Sequence, residues 1–265
     1  MKKFYLLGNN TKYSLSPKIF QYIFKEKNIA ATYQTVEILK NGIFKNYLYN
    51  ETFDGLNITI PYKELAYQSI NKFDQSVKGI ELVNCIKREK SSLIGYNTDY
   101  YGFLKMLEAQ KIILHSKNIL IVGTGAISKT VICTIGENYT CNLYICGRNN
   151  NKINDIVDKY RKYNLNKFNQ SLEQNYIIIN CTPANIDIVN AKNILSYLPL
   201  LQTDLFIDLN YIETELIKLI KKNKISVIMS IDMLIYQAIK SFNIWFNNAG
   251  KQINFNQIKQ HLSNK

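Results

Sequence analysis

The sequence is poor in the two residues that most often shape turns, with 11 Gly and 4 Pro among 265 residues. Most turns must therefore be made by Asn, Asp and Ser, and the few Gly and Pro mark special backbone positions. Long apolar runs are also missing: the N-terminal run ends at Gly8, too early for a signal-peptide core, and no run approaches a membrane span. We therefore expect no membrane partner and a cytoplasmic location.

Cysteine pairs and catalytic histidines are missing as well. The five cysteines are scattered and include no C-x-x-C pair, so we expect buried, reduced thiols and no metal site. The two histidines, His115 and His261, lie outside every motif discussed below. That placement argues against a Ser-His-Asp hydrolase.

The charge balance is strongly basic, with a formal net charge of +13. The lysines are spread along the whole chain, and no basic run is interleaved with aromatics as in a nucleic-acid module. We therefore expect no nucleic-acid partner. A positive surface potential instead favours anionic small molecules.

Strand and helix patterns alternate through the first hundred residues, which indicates an α/β domain. Strands are expected at 3–8, 32–39, 55–60, 81–86 and 93–95. Ser16 followed by Pro17 is typical of a helix start, with Ser16 as the N-cap. Ser14 has no such explanation, and two hydroxyls beside a helix N-terminus also suit a bound carboxylate.

Two charged residues, Lys63 and Asp99, each stand where a predicted strand is followed by a helix. Thr59 and Lys63 fall at the C-terminal end of the strand at 55–60, where open α/β sheets bind ligands. The helix dipole does not favour Lys63, which is either a solvated lysine or a functional one. Asp99 begins the helical pattern after residue 95, and its carboxylate either stabilises the helix start or takes part in catalysis.

A glycine turn joins a strand at 117–122 to the next helix and predicts a nucleotide site. Gly123 and Gly125 would let a pyrophosphate approach the helix N-terminus, although Ser128 replaces the usual third glycine. The next strand ends at Arg148, where an NAD site would want an acidic residue. Arg148 and Lys152 instead offer cations for a 2′-phosphate, which predicts NADP.

The order of the motifs along almost the whole chain resembles the shikimate dehydrogenase family. The matching segments are YSLSP at 13–17, GLNITIPYK at 55–63, LVN at 82–84, GYNTDYYG at 95–102, GTGAIS at 123–128, GRN at 147–149, NCTP at 180–183, DLNY at 208–211 and MLIYQA at 233–238. The resemblance implies a catalytic pair, a set of substrate-binding residues and a set of NADP-binding residues. The pair would be Lys63 and Asp99, the substrate set Ser14, Ser16, Thr59, Asn84, Tyr211 and Gln237, and the cofactor set Gly123, Gly125, Ala126, Arg148, Asn149, Lys152 and Thr182.

The same resemblance implies two α/β domains with a deep cleft between them. The substrate domain would use 1–100 plus 236–265, and a Rossmann-type NADP domain would use 101–235. The expected reaction is the reversible, NADPH-dependent reduction of 3-dehydroshikimate to shikimate on the route to chorismate, by a monomer or homodimer. The alternatives are a quinate/shikimate dehydrogenase that uses NAD and a non-catalytic binding relative, which would be expected to lack Lys63 or Asp99.

Some positions depart from the family pattern. Asn185 and Ile186 replace the glycine and methionine that usually follow the Thr-Pro step, which puts the nicotinamide contact in doubt. Ser230 and Asp232 occupy a turn where glycine is expected. Tyr13 and Tyr62 stand where the family commonly has histidine.

Overall fold

The structure, a computed structural model, describes residues 1–9, 11–169, 175–183, 187–247 and 253–263. The chain divides into two compact units, each of which has its own sheet. The first unit comprises Met1–Lys105 and Asp232–Lys265, and the second comprises Met106–Ile231.

The first unit contains a six-stranded mixed sheet. Its strands are β1 (Lys2–Gly8), β2 (Ala31–Glu37), β3 (Gly55–Ile58), β4 (Lys72–Phe73), β5 (Cys85–Glu89) and β6 (Ser92–Tyr96). Their order is β2-β1-β3-β5-β6-β4. The first three strands are parallel to one another, whereas β5 is antiparallel to both of its neighbours. The carboxyl ends of β1, β3 and β6 therefore lie at one edge of the sheet.

Helices pack on this sheet and bury an aromatic cluster. The helices of the first unit are α1 (Ser16–Glu26), α2 (Asn41–Asn50), α3 (Lys63–Ser69), α4 (Thr98–Ala109, which continues into the second unit), α9 (Ile231–Trp245) and α10 (Phe255–Ser263). The Trp245 ring stacks on Phe4 at 4.6 Å between centroids and lies 5.1 Å from Phe20. The indole N–H of Trp245 donates to the carbonyl of Ile86 at 3.0 Å. This contact fixes the end of α9 against the sheet.

The second unit contains a fully parallel sheet. Its strands are β7 (Asn118–Val122), β8 (Asn142–Cys146), β9 (Leu165–Lys167), β10 (Tyr176–Asn180), β11 (Thr203–Asp208) and β12 (Ser226–Met229). The strand order is β12-β11-β10-β7-β8-β9. The chain adds β8 and β9 on one side of β7 and then β10, β11 and β12 on the other, so the order of the strands switches sides between the parallel neighbours β7 and β10. That is the doubly wound Rossmann arrangement, which binds ligands beyond the carboxyl ends of its strands at the switch point.

The strand sequences explain why this sheet is buried on both faces. β7 and β10 are continuous apolar runs, and every residue of Tyr176–Asn180 is buried. The helices of the unit connect these strands: α5 (Ala126–Asn138), α6 (Asn150–Lys159), α7 (Ile188–Leu195) and α8 (Glu215–Lys222). The apolar faces of α7 and α8 join one core cluster with the strands. The sequence prediction of an α/β chain with a Rossmann-type part is confirmed.

Two local predictions were wrong. Ser16 is the first residue of α1 and not its N-cap, because Leu15 already has a right-handed helical backbone and accepts the N–H of Ile19. The strand expected at 81–86 begins only at Cys85. Residues 82–84 instead form a loop whose Asn84 side chain serves the site described below.

Across the described part of the chain, no helix combines the length and the apolar character needed to cross a membrane.

Gly55 is predicted to be intolerant of any side chain. A Cβ atom at this position would overlap the Trp245 indole, whose N–H would then lose its bond to Ile86. We expect Gly55→Ala to lower the free energy of unfolding by about 3 kcal/mol, from overpacking and the lost hydrogen bond. The measurement is urea unfolding followed by circular dichroism.

Gly42→Ala is the matched control. In the part of the chain that the structure describes, no atom lies within 4 Å of its added Cβ, and the residue lies in α2. This change should raise stability by up to about 1 kcal/mol, because alanine is the better helix former. Equal effects at the two glycines would contradict the packing described for Trp245.

Candidate functional site

Lys63 is placed by the loop that follows β3. The strand ends at Ile58, and Lys63 is the first residue of α3. The carbonyl of Lys63 accepts the N–H of Val83 at 3.0 Å, and the hydroxyl of the preceding Tyr62 donates to the carbonyl of Ile38 at 2.7 Å. The backbone that carries the lysine is therefore fixed from two sides.

Asp99 lies in the first turn of α4, shortly after β6, and contacts Lys63 directly. Asp99 is the second residue of α4, and its Oδ2 lies 2.6 Å from Nζ of Lys63. The two side chains are only 13% and 10% exposed. An amine held against a carboxylate with so little solvent exposure has the geometry that a proton donor requires. The structure thus brings together the two residues that the sequence analysis paired.

Thr98 connects the start of α4 to two further predicted residues, Asn84 and Gln237. Its backbone N–H donates to Oδ1 of Asn84 at 2.6 Å. Its hydroxyl accepts from Nδ2 of Asn84 at 3.0 Å and donates to Oε1 of Gln237 at 3.3 Å. All three residues are buried. Thr98 had no predicted role, although the residue stands within the GYNTDYYG segment beside Asp99.

Further buried polar groups form hydrogen bonds to Thr98 and its partners. The hydroxyl of Ser241, one turn after Gln237 on α9, lies 3.2 Å from that of Thr98 and donates to the carbonyl of Gln237. Asn57 donates to Ser241 at 3.0 Å and accepts the hydroxyl of Tyr33 at 3.0 Å. Buried polar groups satisfied in this way hold neighbouring side chains in one arrangement.

Gly102 explains how α9 comes close enough to join this network. A Cβ atom on Gly102 would lie 2.7 Å from the carbonyl oxygen of Met233 and 2.9 Å from Cβ of Gln237.

Asp232, in the first turn of α9, is paired with Lys259 of α10 at 2.6 Å. Asp232 is therefore accommodated where the family pattern has glycine.

The other predicted substrate residues of the first unit follow the same sheet edge. Ser14 and Ser16 come after β1, and Oγ of Ser14 accepts the N–H of Ser16 at 3.2 Å. Thr59 follows β3, and its N–H donates to the carbonyl of Leu7 at 2.9 Å. Ser14 and Thr59 are partly exposed, whereas Ser16 is buried. Tyr211 belongs to the second unit.

The glycine turn of the second unit has the geometry of a phosphate cradle. Gly123 has φ of +109°, which favours glycine, and Gly125 is the N-cap of α5. Among the described residues, no atom lies within 4 Å of the position where Gly125 would carry a Cβ, which leaves room there for a ligand against the backbone. Ser128 is fully buried, and its hydroxyl donates to the carbonyl of Gly125 at 2.6 Å. The residues therefore fit a dinucleotide pyrophosphate at the start of α5.

The loop after β8 and the first turn of α6 carry the predicted 2′-phosphate residues. Asn149 caps α6, and its Oδ1 accepts the N–H of Lys152 at 3.0 Å. Arg148 and Lys152 are both exposed. Nη1 of Arg148 donates to Oδ1 of Asn190 on α7 at 3.2 Å, a contact that the sequence analysis did not foresee.

Thr182 belongs to a buried polar network at the ends of β10 and β11. Its hydroxyl donates to Oδ1 of Asn180 at 2.6 Å, while Asn180 donates to Oδ1 of Asp208 at 3.1 Å. Asn210 donates to the same Oδ1 from both its backbone and its side chain. Oδ2 of Asp208 is buried and has no hydrogen-bond partner among the described residues. Burial raises the pKa of the Asp208 carboxyl to about 6, against the opposing effect of these hydrogen bonds.

Comparison with known proteins identifies the family. Residues 6–86 match the model of the shikimate dehydrogenase substrate binding domain, and residues 107–228 match the shikimate / quinate 5-dehydrogenase model. The chain is 31% identical over 250 residues to the NADP(+) shikimate dehydrogenase of Clostridium botulinum strain Hall, covering 93% of this chain and 97% of that one. This chain belongs to the shikimate dehydrogenase family.

Further relatives support the same family. The NADP(+) shikimate dehydrogenase of Clostridium perfringens strain SM101 is 29% identical, with 92% of each chain covered. The crystal structure of shikimate dehydrogenase 1 from Peptoclostridium difficile has a TM-score of 0.82 at 27% identity, covering 98% of this chain and 96% of that chain. The resemblance drawn from the motifs is therefore confirmed. The departures at Asn185 and Ile186 lie outside the described residues.

The raised pKa of Asp208 predicts a pH-dependent stability that Asp208→Asn removes. Between the ordinary carboxyl value of 3.8 and about 6, the folded protein keeps a proton that the unfolded chain has lost. The contribution of Asp208 to stability is therefore full below pH 4 and is lost as the pH rises through 6. The free energy of unfolding is measured by urea titration for wild type and Asp208→Asn. As the pH rises over this interval, the value for Asp208→Asn should increase relative to wild type by roughly 2–3 kcal/mol.

Asp204→Asn provides the control, because Asp204 is an exposed residue of the same strand. Its difference from wild type should stay flat across the interval. A flat difference for Asp208→Asn as well would contradict the account of a neutral carboxyl in this network.

Proposed function

We propose that the protein is an NADP-dependent shikimate dehydrogenase that reversibly reduces 3-dehydroshikimate to shikimate, a step towards chorismate and the aromatic amino acids. The observation that carries the proposal is the 2.6 Å contact between Lys63 and Asp99 in a nearly dry site of a family member. We also propose that the protein acts in the cytoplasm as a monomer or homodimer. Its five free cysteines, four of them buried, suit a reducing compartment.

Lys63 is proposed as the general acid and base. In the reductive direction, NADPH held by the second unit would supply the hydride for the ring carbonyl carbon. The carbonyl π electrons move to oxygen, and the ammonium of Lys63 gives that oxygen a proton. In the oxidative direction, the neutral amine takes the proton of the ring hydroxyl. Asp99 keeps Nζ of Lys63 oriented and stabilises its charged form.

Substrate recognition is assigned to hydroxyls and amides around this pair. Ser14 and Ser16 would hold the carboxylate, since hydroxyls beside a helix start suit an anion. The side chains of Thr59, Asn84 and Gln237 would line the ring and its hydroxyls, together with Tyr211. The hydrogen bonds of Asn84 and Gln237 to Thr98 support this assignment, because a fixed amide discriminates between positions of a hydroxyl.

Cofactor binding is assigned to the second unit, so that the substrate domain uses 1–100 plus 236–265 and the NADP domain uses 101–235. The pyrophosphate would lie on the backbone of the glycine turn, and the 2′-phosphate beside two cations of the next loop. The residues are Gly123, Gly125, Ala126, Arg148, Asn149, Lys152 and Thr182. A guanidinium is the group best suited to a phosphate, and it has no counterpart in an NAD site that uses a carboxylate.

The function is tested by following nicotinamide absorbance while the purified protein oxidises shikimate. We expect turnover with NADP and at least about tenfold lower kcat/KM with NAD, because Arg148 and Lys152 then have no 2′-phosphate to bind. Preferred turnover of quinate with NAD would support the alternative enzyme of the same family model. Failure to oxidise either substrate would overturn the proposal.

Replacing the lysine should affect the chemical step far more than binding. Lys63→Ala is expected to lower kcat by at least about 100-fold, the usual contribution of a positioned acid, with KM for shikimate changed only a few-fold. Lys45→Ala, at an exposed position of α2, is the matched control and should match wild type. A kcat within tenfold of wild type for Lys63→Ala would remove the lysine from the mechanism.

A further inference from the structure

We propose that Asn190 is a positioning residue that holds Arg148 ready for the 2′-phosphate of NADP and so strengthens the preference over NAD. The inference rests on the proposed function, which assigns the 2′-phosphate to Arg148. Both residues belong to the second unit, although 42 positions separate them in the sequence. No motif connects them.

The first step is that Asn190 is itself fixed. Asp187 is the N-cap of α7, and its Oδ1 accepts the backbone N–H of Asn190 at 2.8 Å. Its Oδ2 accepts from Nδ2 of Asn190 at 2.9 Å. These hydrogen bonds from Asn190 are the main reason that the pKa of the Asp187 carboxyl is lowered.

The second step is that the orientation of the Asn190 amide is determined by chemistry. A carboxylate only accepts hydrogen bonds, so the NH₂ group of Asn190 must face Asp187. The amide oxygen then points the other way, towards Arg148, which only donates. The observed bond, from Nη1 of Arg148 to Oδ1 of Asn190 at 3.2 Å, has the polarity that this arrangement demands.

The hydrogen bond to Asn190 restrains the side chain of Arg148 before the cofactor binds. The side chain is exposed, long and flexible, so an unrestrained guanidinium would lose rotamer freedom on binding a phosphate. The contact to Asn190 uses one of its five N–H donors and leaves the others for a ligand. Asn190 is neutral, so the hydrogen bond itself places no negative charge on the guanidinium, while the Asp187 carboxylate behind it also attracts Arg148. Part of the ordering cost is therefore met before the cofactor binds.

The test compares a ligand that carries the 2′-phosphate with one that lacks it. Calorimetric titrations of 2′,5′-ADP and 5′-AMP would be made with wild type, Asn190→Ala, Arg148→Ala and the control Asn193→Ala, an exposed residue of the same helix. Asn190→Ala should weaken 2′,5′-ADP binding about fivefold, the worth of one hydrogen bond, and leave 5′-AMP within twofold. The ratio of kcat/KM for NADP over NAD should fall by a similar factor.

The remaining variants separate the possible failures. Asn193→Ala should match wild type in every titration, and Arg148→Ala should lose more 2′,5′-ADP affinity than Asn190→Ala. An unchanged affinity in Arg148→Ala would refute the proposed 2′-phosphate site and this inference with it. A loss in Arg148→Ala with no change in Asn190→Ala would refute the inference alone. Tighter 2′,5′-ADP binding by Asn190→Ala would overturn it too, because Asn190 would then compete with the phosphate.

Discussion

The hydrogen bond from the backbone N–H of Thr98 to Oδ1 of Asn84, at 2.6 Å, is the constraint on which the first unit's site depends. It fixes the first residue of α4, and the next residue, Asp99, then faces Lys63. The side-chain hydroxyl of Thr98 donates to Gln237 on α9, a helix far away in the sequence. One residue therefore aligns the candidate acid, its carboxylate and two amides. The adjacent loops are tied into this arrangement by backbone hydrogen bonds from Val83 to Lys63 and from Asn84 to Tyr96.

The Lys63–Asp99 pair is better explained by chemistry than by stability. Removing two charges from water costs several kcal/mol per ion, so a nearly buried pair contributes little to folding on balance. The cost is compatible with a site that must hold an ammonium at a defined place and exclude water from it. The second unit holds Asp208 differently, because its carboxyl is buried against the amides of Asn180 and Asn210 and burial raises its pKa to about 6. One carboxylate is kept beside a cation, and the other is pushed towards the neutral form.

Much of this could be predicted from the sequence, because the decisive features are local. The glycine turn at Gly123, the apolar parallel strands and the placement of Lys63 after a strand are all contained in short segments. The pairing of Lys63 with Asp99 came from family resemblance. The N-cap at Ser16 was mispredicted, because the preceding turn of backbone already continues into the helix through Leu15. Thr98 and Ser241, which hold the amides, and Asn190, which contacts Arg148, act across long sequence separations that no pattern of spacing reveals.

The central claim is that the Lys63 ammonium supplies the proton, and chemical rescue tests it most directly. Lys63→Ala leaves space where a small alkylamine can enter beside Asp99, as the native side chain is partly solvent-accessible. The account predicts that added ethylamine raises the kcat of Lys63→Ala with saturation, that the rate follows the basicity of the amine, and that wild type does not respond. If shikimate and NADP both bind to Lys63→Ala but no amine raises its kcat, the claim that Lys63 is the proton donor is contradicted.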